Sequence, residues 1–253
     1  MKKSATILTL MISALAVVFF IADGAPAFGA DTKASRKENN EHFRQERMKM
    51  IRQQIRARGI ENPEILAAFE NVPRHRFVPE GLKKYAYQDR PLPIGEDQTI
   101  SQPYIVALMT RSIEPKKTDR ILEIGTGSGY QAAILAELSE QVYTIEILAS
   151  LAESARRTLS ETGYENVHVK TGDGFKGWPE HAPFDAIVVT CSPEKVPEPL
   201  KEQLAGGGRM VIPVGQNYDQ NLVLLEKNKG QLIEKQILPV RFVPMVDEKG
   251  RTY

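Results

Sequence analysis

The chain has 253 residues, with 33 Lys and Arg against 32 Asp and Glu, for a formal net charge of +1. That length suffices for one sizeable α/β domain, and the charge balance leaves no global basic footprint for nucleic acid. A single cysteine excludes an intrachain disulfide, and four histidines without ligand spacing argue against a metal site.

Lys2 and Lys3 precede an apolar stretch from Ala5 to Ala22, and small residues follow between Gly24 and Ala30. This is the pattern of an export signal. The run is near the lower limit for spanning a bilayer, so an uncleaved membrane anchor is the alternative. Residues 31–45 are polar and are expected to form a linker. The basic stretch 33–60 reads as a solvated helix face.

From residue 46 the pattern becomes globular. Met48, Ile51 and Ile55 share a helical spacing, and Gly59 is placed to stop that helix. Asn62 caps a second helix with Pro63 at its first position and Ile65, Leu66 and Phe69 inward. Residues 71–100 are rich in Pro and Gly, which suits loops and short strands. Ser101-Gln102-Pro103 opens another helix, with Ser101 as its expected N-cap.

Beyond residue 119 strands alternate with helices. The predicted strands are Arg120–Ile124, Val142–Glu146, Val167–Thr171, Phe184–Thr190, Arg209–Val214, Asn221–Glu226 and Gln231–Val240. Helices are expected in every gap up to the fifth of these. Lys227-Asn228-Lys229-Gly230 is a hairpin turn signal. The predicted fold is therefore α/β, a Rossmann-like doubly wound sheet of seven strands, mostly parallel with one antiparallel edge strand. The expected organisation is a signal or anchor (1–30), a linker (31–45), one domain (46–246) and a tail (247–253). Within the domain, 46–118 forms a substrate-side region and 119–246 the cofactor-binding sheet.

The first strand of the alternation ends in Glu123-Ile124-Gly125-Thr126-Gly127-Ser128-Gly129-Tyr130. Glycines at alternate positions let a ligand approach the backbone, and the following helix offers free N–H groups. The spacing is not that of a dinucleotide turn, because Tyr130 stands where the third glycine would be. Glu123 would repel a pyrophosphate but attract an amino group. S-adenosylmethionine carries an ammonium and a sulfonium and no phosphate, so the turn favours that cofactor. Gly125, Thr126, Gly127 and Gly129 are its candidate binding residues.

Two further strand ends agree. Glu146 lies 21 residues beyond Gly125 and could accept both ribose hydroxyls. Asp173, between Gly172 and Gly174, could accept the adenine amino group. Taken singly, Glu146 could be a solvated strand end and Asp173 a turn residue. Together with Glu123 they point to a nucleoside cofactor, with a nicotinamide dehydrogenase as the rival whose third glycine is missing.

Several segments resemble the protein-L-isoaspartate O-methyltransferase family over about residues 46–246. They are Val72–Pro79, Gln98–Tyr104, the glycine turn, Pro183–Thr190, Gly206–Gly215 and Val240–Met245. Thr99–Pro103 and Val240–Met245 are the most specific. The resemblance implies methylation of the α-carboxylate of L-isoaspartyl residues in damaged proteins. The ester then collapses to a succinimide that hydrolyses partly to aspartate. It implies Ser101 as the active-site serine, and Thr99, Ile100, Ser101, Val243 and Pro244 as substrate-binding residues. No metal and no nucleic-acid partner are implied, and a monomer is expected. Cys191-Ser192 departs from the small residues usual there, and Cys191 reads as a small, partly buried thiol rather than a nucleophile.

An α-carboxylate with a pKa of about 3.5 is ionised at neutral pH, so no general base is required. The chemistry asks for alignment and exclusion of water instead. Two alternatives stay open: a methyltransferase for a small molecule or RNA, and an exported, non-catalytic binding protein. The N-terminal signal points to export or a membrane anchor. The cytosol is the alternative compartment, because the cofactor is made there.

Overall fold

The computed structural model describes residues 33–216 and 219–253. The expected export signal lies outside the described residues. Among those described, no helix is long and apolar enough to cross a membrane.

Helix α1 (Lys33–Met50) runs through much of the stretch expected as a linker. The correction has a local cause: residues 33–50 hold no Gly or Pro and several strong helix formers. A tertiary contact supports it, because Phe43 stacks on His75 with ring centroids 4.1 Å apart. The helix widens into a π-turn at Ile51–Ile55, tightens at Arg56–Arg58 and stops at Gly59, whose φ is +81°. Helix α2 (Pro63–Asn71) starts where the capping signal placed it, and the Asn62 side chain accepts from the Ile65 N–H at 3.0 Å. The Pro- and Gly-rich stretch forms 3₁₀ turns and a two-stranded ribbon, β1 (Leu92–Gly95) and β2 (Gln98–Ile100). Helix α3 spans Pro103–Ser112. Its N-cap is Gln102, without a side-chain cap bond, so the expected capping role of Ser101 is not observed. Pro103 moves the helix start one residue onward.

The main sheet contains β3 (Arg120–Ile124), β4 (Gln141–Glu146), β5 (Val167–Thr171), β6 (Phe184–Val189), β7 (Leu204–Gln216), β8 (Asp219–Asn228) and β9 (Gln231–Val240). Their spatial order is β5-β4-β3-β6-β7-β8-β9. The pairings from β5 through β7 are parallel, and β8 pairs antiparallel with both β7 and β9. The mixed seven-stranded sheet is the predicted one, with β8 the reversed strand and β9 beyond it as the edge. The hairpin turn carries Lys229 at φ +48° and Gly230 at +80°, the geometry of a two-residue type I′ loop.

Helices α4 (Tyr130–Leu138) and α5 (Ala149–Glu161) cross between the first three sheet strands, and α6 (Glu198–Gln203) precedes β7. No α-helix joins β5 to β6. Two short 3₁₀ turns, Gly174–Lys176 and Pro179–His181, stand there instead. Gly172, Gly174, Gly177, Pro179 and Pro183 break any longer helix in that gap. Period-two alternation splits the sheet's side chains between two cores. Ile121, Val142, Ala186 and Val211 face α1–α4, while Leu122, Tyr143, Ile187 and Met210 face the side of Leu200 and Trp178.

Candidate active site

The carboxyl ends of β3, β4, β5 and β6 converge on one crevice, beside the point where the strand order reverses between β3 and β6. The chain leaves β3 into the glycine turn. The Gly125 and Thr126 N–H groups donate to the Ile145 carbonyl at 2.8 and 3.2 Å. Gly125 has φ +92°, and a Cβ there would overlap the Thr190 hydroxyl. That hydroxyl donates to the carbonyl oxygens of Ile124 and Gly125, at 2.9 and 2.7 Å. A Cβ on Gly174 would overlap Ile124. Both positions demand glycine because strand ends pack backbone to side chain there.

A cavity of about 290 Å³ opens over this turn. Gly125, Gly127, Glu146, Gly174, Ile147 and Leu148 line one part of it, and Cys191 and Val243–Val246 another. Both Glu146 carboxylate oxygens are already held: Oε2 accepts from Gly127 N–H at 2.8 Å and Oε1 from Leu148 N–H at 3.0 Å. Those bonds fix the carboxylate at the cavity wall while leaving lone pairs for a ligand.

A second cleft, about 670 Å³, adjoins the first. Ser101, Tyr104, Arg58, Arg241 and Phe242 are among its walls. Thr99, Thr190 and Val243 line both spaces. A small chamber of about 40 Å³ lies between them, bounded by Ser101, Ile100, Thr126, Gly127, Ser128 and Glu123 among others. It is large enough for one water or one ammonium group.

Glu123 is fully buried. Its Oε2 accepts from the Thr144 hydroxyl at 2.5 Å, which lies 2.6 Å from the Thr126 hydroxyl. Its Oε1 has no partner. Burial pushes the carboxyl up to about 8; the Thr144 bond opposes this and the nearby Glu146 charge adds to it. An orphaned buried acid beside the glycine turn fits an incoming cation. Cys191 is partly buried, and burial pushes its thiol up to about 12, so it is protonated and unreactive at neutral pH.

Gly125, Gly127, Glu146 and Gly174 meet at the first cavity, and Thr126 and Glu123 sit behind them at the chamber. Gly129 touches neither space. It begins α4 at φ +86° and packs against Leu159 and Ala155. Asp173 stands at the β5 end with its side chain only 4% exposed. Its Oδ1 accepts from Phe175 N–H at 3.0 Å and its Oδ2 from the Tyr253 hydroxyl at 2.7 Å. Thr99 and Ser101 line the larger cleft, as does Val243. Ile100 is buried and borders only the chamber, and Pro244 borders only the first cavity.

Two residues matter more than sequence reasoning suggested. Arg74 is fully buried, donates to the carbonyls of Ala86 and Ser101 at 2.7 Å each, and lies over the Tyr130 ring. It pins the backbone of Ser101. Thr190 holds the glycine turn and walls both spaces. Both lie within segments that carried the resemblance, which was the available signal.

A mixed seven-stranded α/β sheet, a glycine turn after its first strand and an acid after the next define the fold of the S-adenosylmethionine-dependent methyltransferases. Residues 45–250 match the family model described as protein-L-isoaspartate(D-aspartate) O-methyltransferase. A protein-L-isoaspartate O-methyltransferase of Gloeobacter violaceus is 55% identical over 205 residues, covering 81% of this chain and all of its own. One from Opitutus terrae is 57% identical over 205 residues, 81% of this chain and 88% of its own. A solved protein-L-isoaspartate O-methyltransferase structure superposes with TM-score 0.74 at 32% identity, covering 81% of this chain and 67% of that one. A Plasmodium falciparum structure in complex with S-adenosyl-L-homocysteine superposes at 0.69, with 25% identity over 80% of this chain and 97% of that one. The chain belongs to the protein-L-isoaspartate O-methyltransferase family.

Proposed function

We propose that this protein methylates the α-carboxylate of L-isoaspartyl residues in damaged proteins and so begins their repair. The observation that carries this reading is the pair of adjoining spaces that share Thr99, Thr190 and Val243 as walls. One suits a nucleoside cofactor and the other an extended peptide. S-adenosylmethionine, when bound, supplies an electrophilic methyl group on its sulfonium.

The residues of the chain have distinct roles in this reading. Gly125 and Gly127 let the cofactor approach the backbone. Glu146 receives the ribose hydroxyls, Asp173 the adenine amino group, and the Glu123 carboxylate attracts the ammonium. Ser101 offers a neutral hydroxyl to the substrate carboxylate. Strong hydrogen bonding would stabilise that nucleophile in the ground state, where its charge is largest, and would slow transfer. Arg58 and Arg241 give the cleft a positive wall that attracts anionic substrate, while Asp89 pairs with Arg58 and moderates its charge. Alignment of the reactants supplies the rate, an effect worth on the order of 7–11 kcal/mol when complete. His75 bonds Tyr87 at 2.8 Å, lines neither cleft, and is held down to about 4 by burial, so it is too weakly basic and too far from the cleft to take a proton there.

A matched pair of peptides, one isoaspartyl and one aspartyl, tests the substrate. With labelled S-adenosylmethionine, a base-labile methyl ester should form on the isoaspartyl peptide alone. Label on both peptides or on neither contradicts the reading. We further propose a monomer, to be checked by light scattering, and export by the N-terminal signal, to be checked by finding the mature N-terminus in fractionated cells.

A further inference from the structure

The segment after the last sheet strand folds back beside the cofactor cavity, with Val243–Val246 in its wall. Beyond them the backbone reverses. Asp247 Oδ1 accepts from the N–H groups of Lys249 and Arg251 at 2.8 and 2.9 Å, and Val246 bridges to Thr252. Tyr253 is then held by four contacts. Its N–H donates to the Met245 carbonyl at 3.1 Å, and its carbonyl accepts from Glu194 N–H at 2.8 Å. Its ring stacks on Phe175, centroids 4.0 Å apart and planes 16° from parallel. Its hydroxyl donates to Asp173 Oδ2 at 2.7 Å. The family match ends at residue 250, so Tyr253 lies beyond it.

The partners of Asp173 decide what this contact does. Oδ1 takes the Phe175 N–H and Oδ2 takes the Tyr253 hydroxyl. The Lys176 ammonium is 3.3 Å from Oδ2, but its side chain is 70% exposed and screened. A carboxylate has about four acceptor sites, so capacity remains for one more donor. Gly174 and Val246 are walls of the first cavity, while Asp173 and Tyr253 are not among its walls and stand next to them in the chain or the fold.

We propose that Tyr253 is a positioning residue for cofactor binding. Its hydroxyl aims the Asp173 carboxylate at the exocyclic amino group of adenine, and its ring on Phe175 latches the Val243–Val246 wall. This rests on the reading of Asp173 as the adenine acceptor. Tyr253 acts through Asp173, so its effect depends on the amino group being present.

Calorimetry on the full chain can separate that role from simple packing. Tyr253→Phe keeps the ring and its stack and removes the hydroxyl. The probes are S-adenosylhomocysteine and S-inosylhomocysteine, in which a carbonyl replaces the amino group. Affinity for the adenosyl probe should fall about three- to tenfold, the range of one hydrogen bond. Affinity for the inosyl probe should stay nearly constant. An equal loss for both probes, or no loss for either, overturns the proposal. Tighter binding also overturns it, because the ring would then be competing with adenine. Asp173→Asn should shift preference toward the inosyl probe. If it does not, the adenine reading of Asp173 fails, and the proposal with it. A shifted preference with an unaffected Tyr253→Phe overturns only the part assigned to Tyr253.

Discussion

Glu123 should make cofactor binding depend on pH. The buried carboxyl, raised to about 8, is protonated in the free protein at neutral pH. A bound ammonium favours the charged form, so binding releases a proton. The sign follows: affinity for S-adenosylhomocysteine rises with pH below 8, approaching tenfold per pH unit between about pH 5.5 and 7. The window stays below the titration of an α-amino group, near about 8. Glu123→Gln resembles the protonated acid, so it should bind nearly as the parent does at pH 5.5 and more weakly at pH 7.5. Its affinity should change little across that range. The same raised pKa means that stability of the free protein declines as pH rises from 4.5 to about 8. The upper bound on that decline is about 5 kcal/mol at 1.36 kcal/mol per unit. Calorimetry in two buffers of different ionisation enthalpy counts the released protons. A pH-independent parent, or an equal slope in Glu123→Gln, would refute the assignment.

Other consequences follow from the same geometry. Gly125→Ala should abolish cofactor binding and lower stability by about 1–3 kcal/mol, since a Cβ meets Thr190 and φ is +92°; normal binding by calorimetry would contradict this. Glu146→Ala frees the N–H groups of Gly127 and Leu148 and should weaken cofactor binding by roughly 1–3 kcal/mol; unchanged affinity removes Glu146 from the site. With cofactor saturating, the single-turnover rate should be nearly flat from about pH 6 to 8. Ser101→Ala should slow it without changing its pH profile or the cofactor affinity; an acid limb that vanishes on mutating His75 would show base catalysis. Arg74→Met leaves one buried carbonyl, that of Ala86, and one part-buried carbonyl, that of Ser101, without their donor. It should cost about 2–5 kcal/mol in denaturant unfolding and slow transfer as Ser101→Ala does, with little effect on cofactor affinity.

The central strands are legible as apolar runs closed by turn residues, β5 and β9 by apolar residues interleaved with polar ones, and β3, β5 and β9 match the predicted bounds residue for residue. β7 was underread. Ala205–Gly208 precede its apolar run, and glycines carry no strand signal, yet the backbone pairs from Leu204. Helix α1 was hidden for the opposite reason: a polar surface helix looks like a linker until a distant contact such as Phe43 on His75 is known. The acids at strand ends could be read from position alone. Their hydrogen-bond partners could not, because Arg74 reaches Ser101 across 27 residues and Thr190 reaches Gly125 across 65. No local pattern records such contacts. Tyr253 is a further case, 80 residues from Asp173 and outside any motif.

The central claim is that two adjoining spaces deliver a methyl group to one particular carboxylate. Following a single isoaspartyl peptide by mass spectrometry, with cofactor and protein in excess, tests it most directly. The account predicts a gain of one methyl group on the isoaspartyl α-carboxylate, then a succinimide, then a mixture containing the aspartyl peptide. Methylation at any other group, or a peptide unchanged while cofactor is bound, would contradict it.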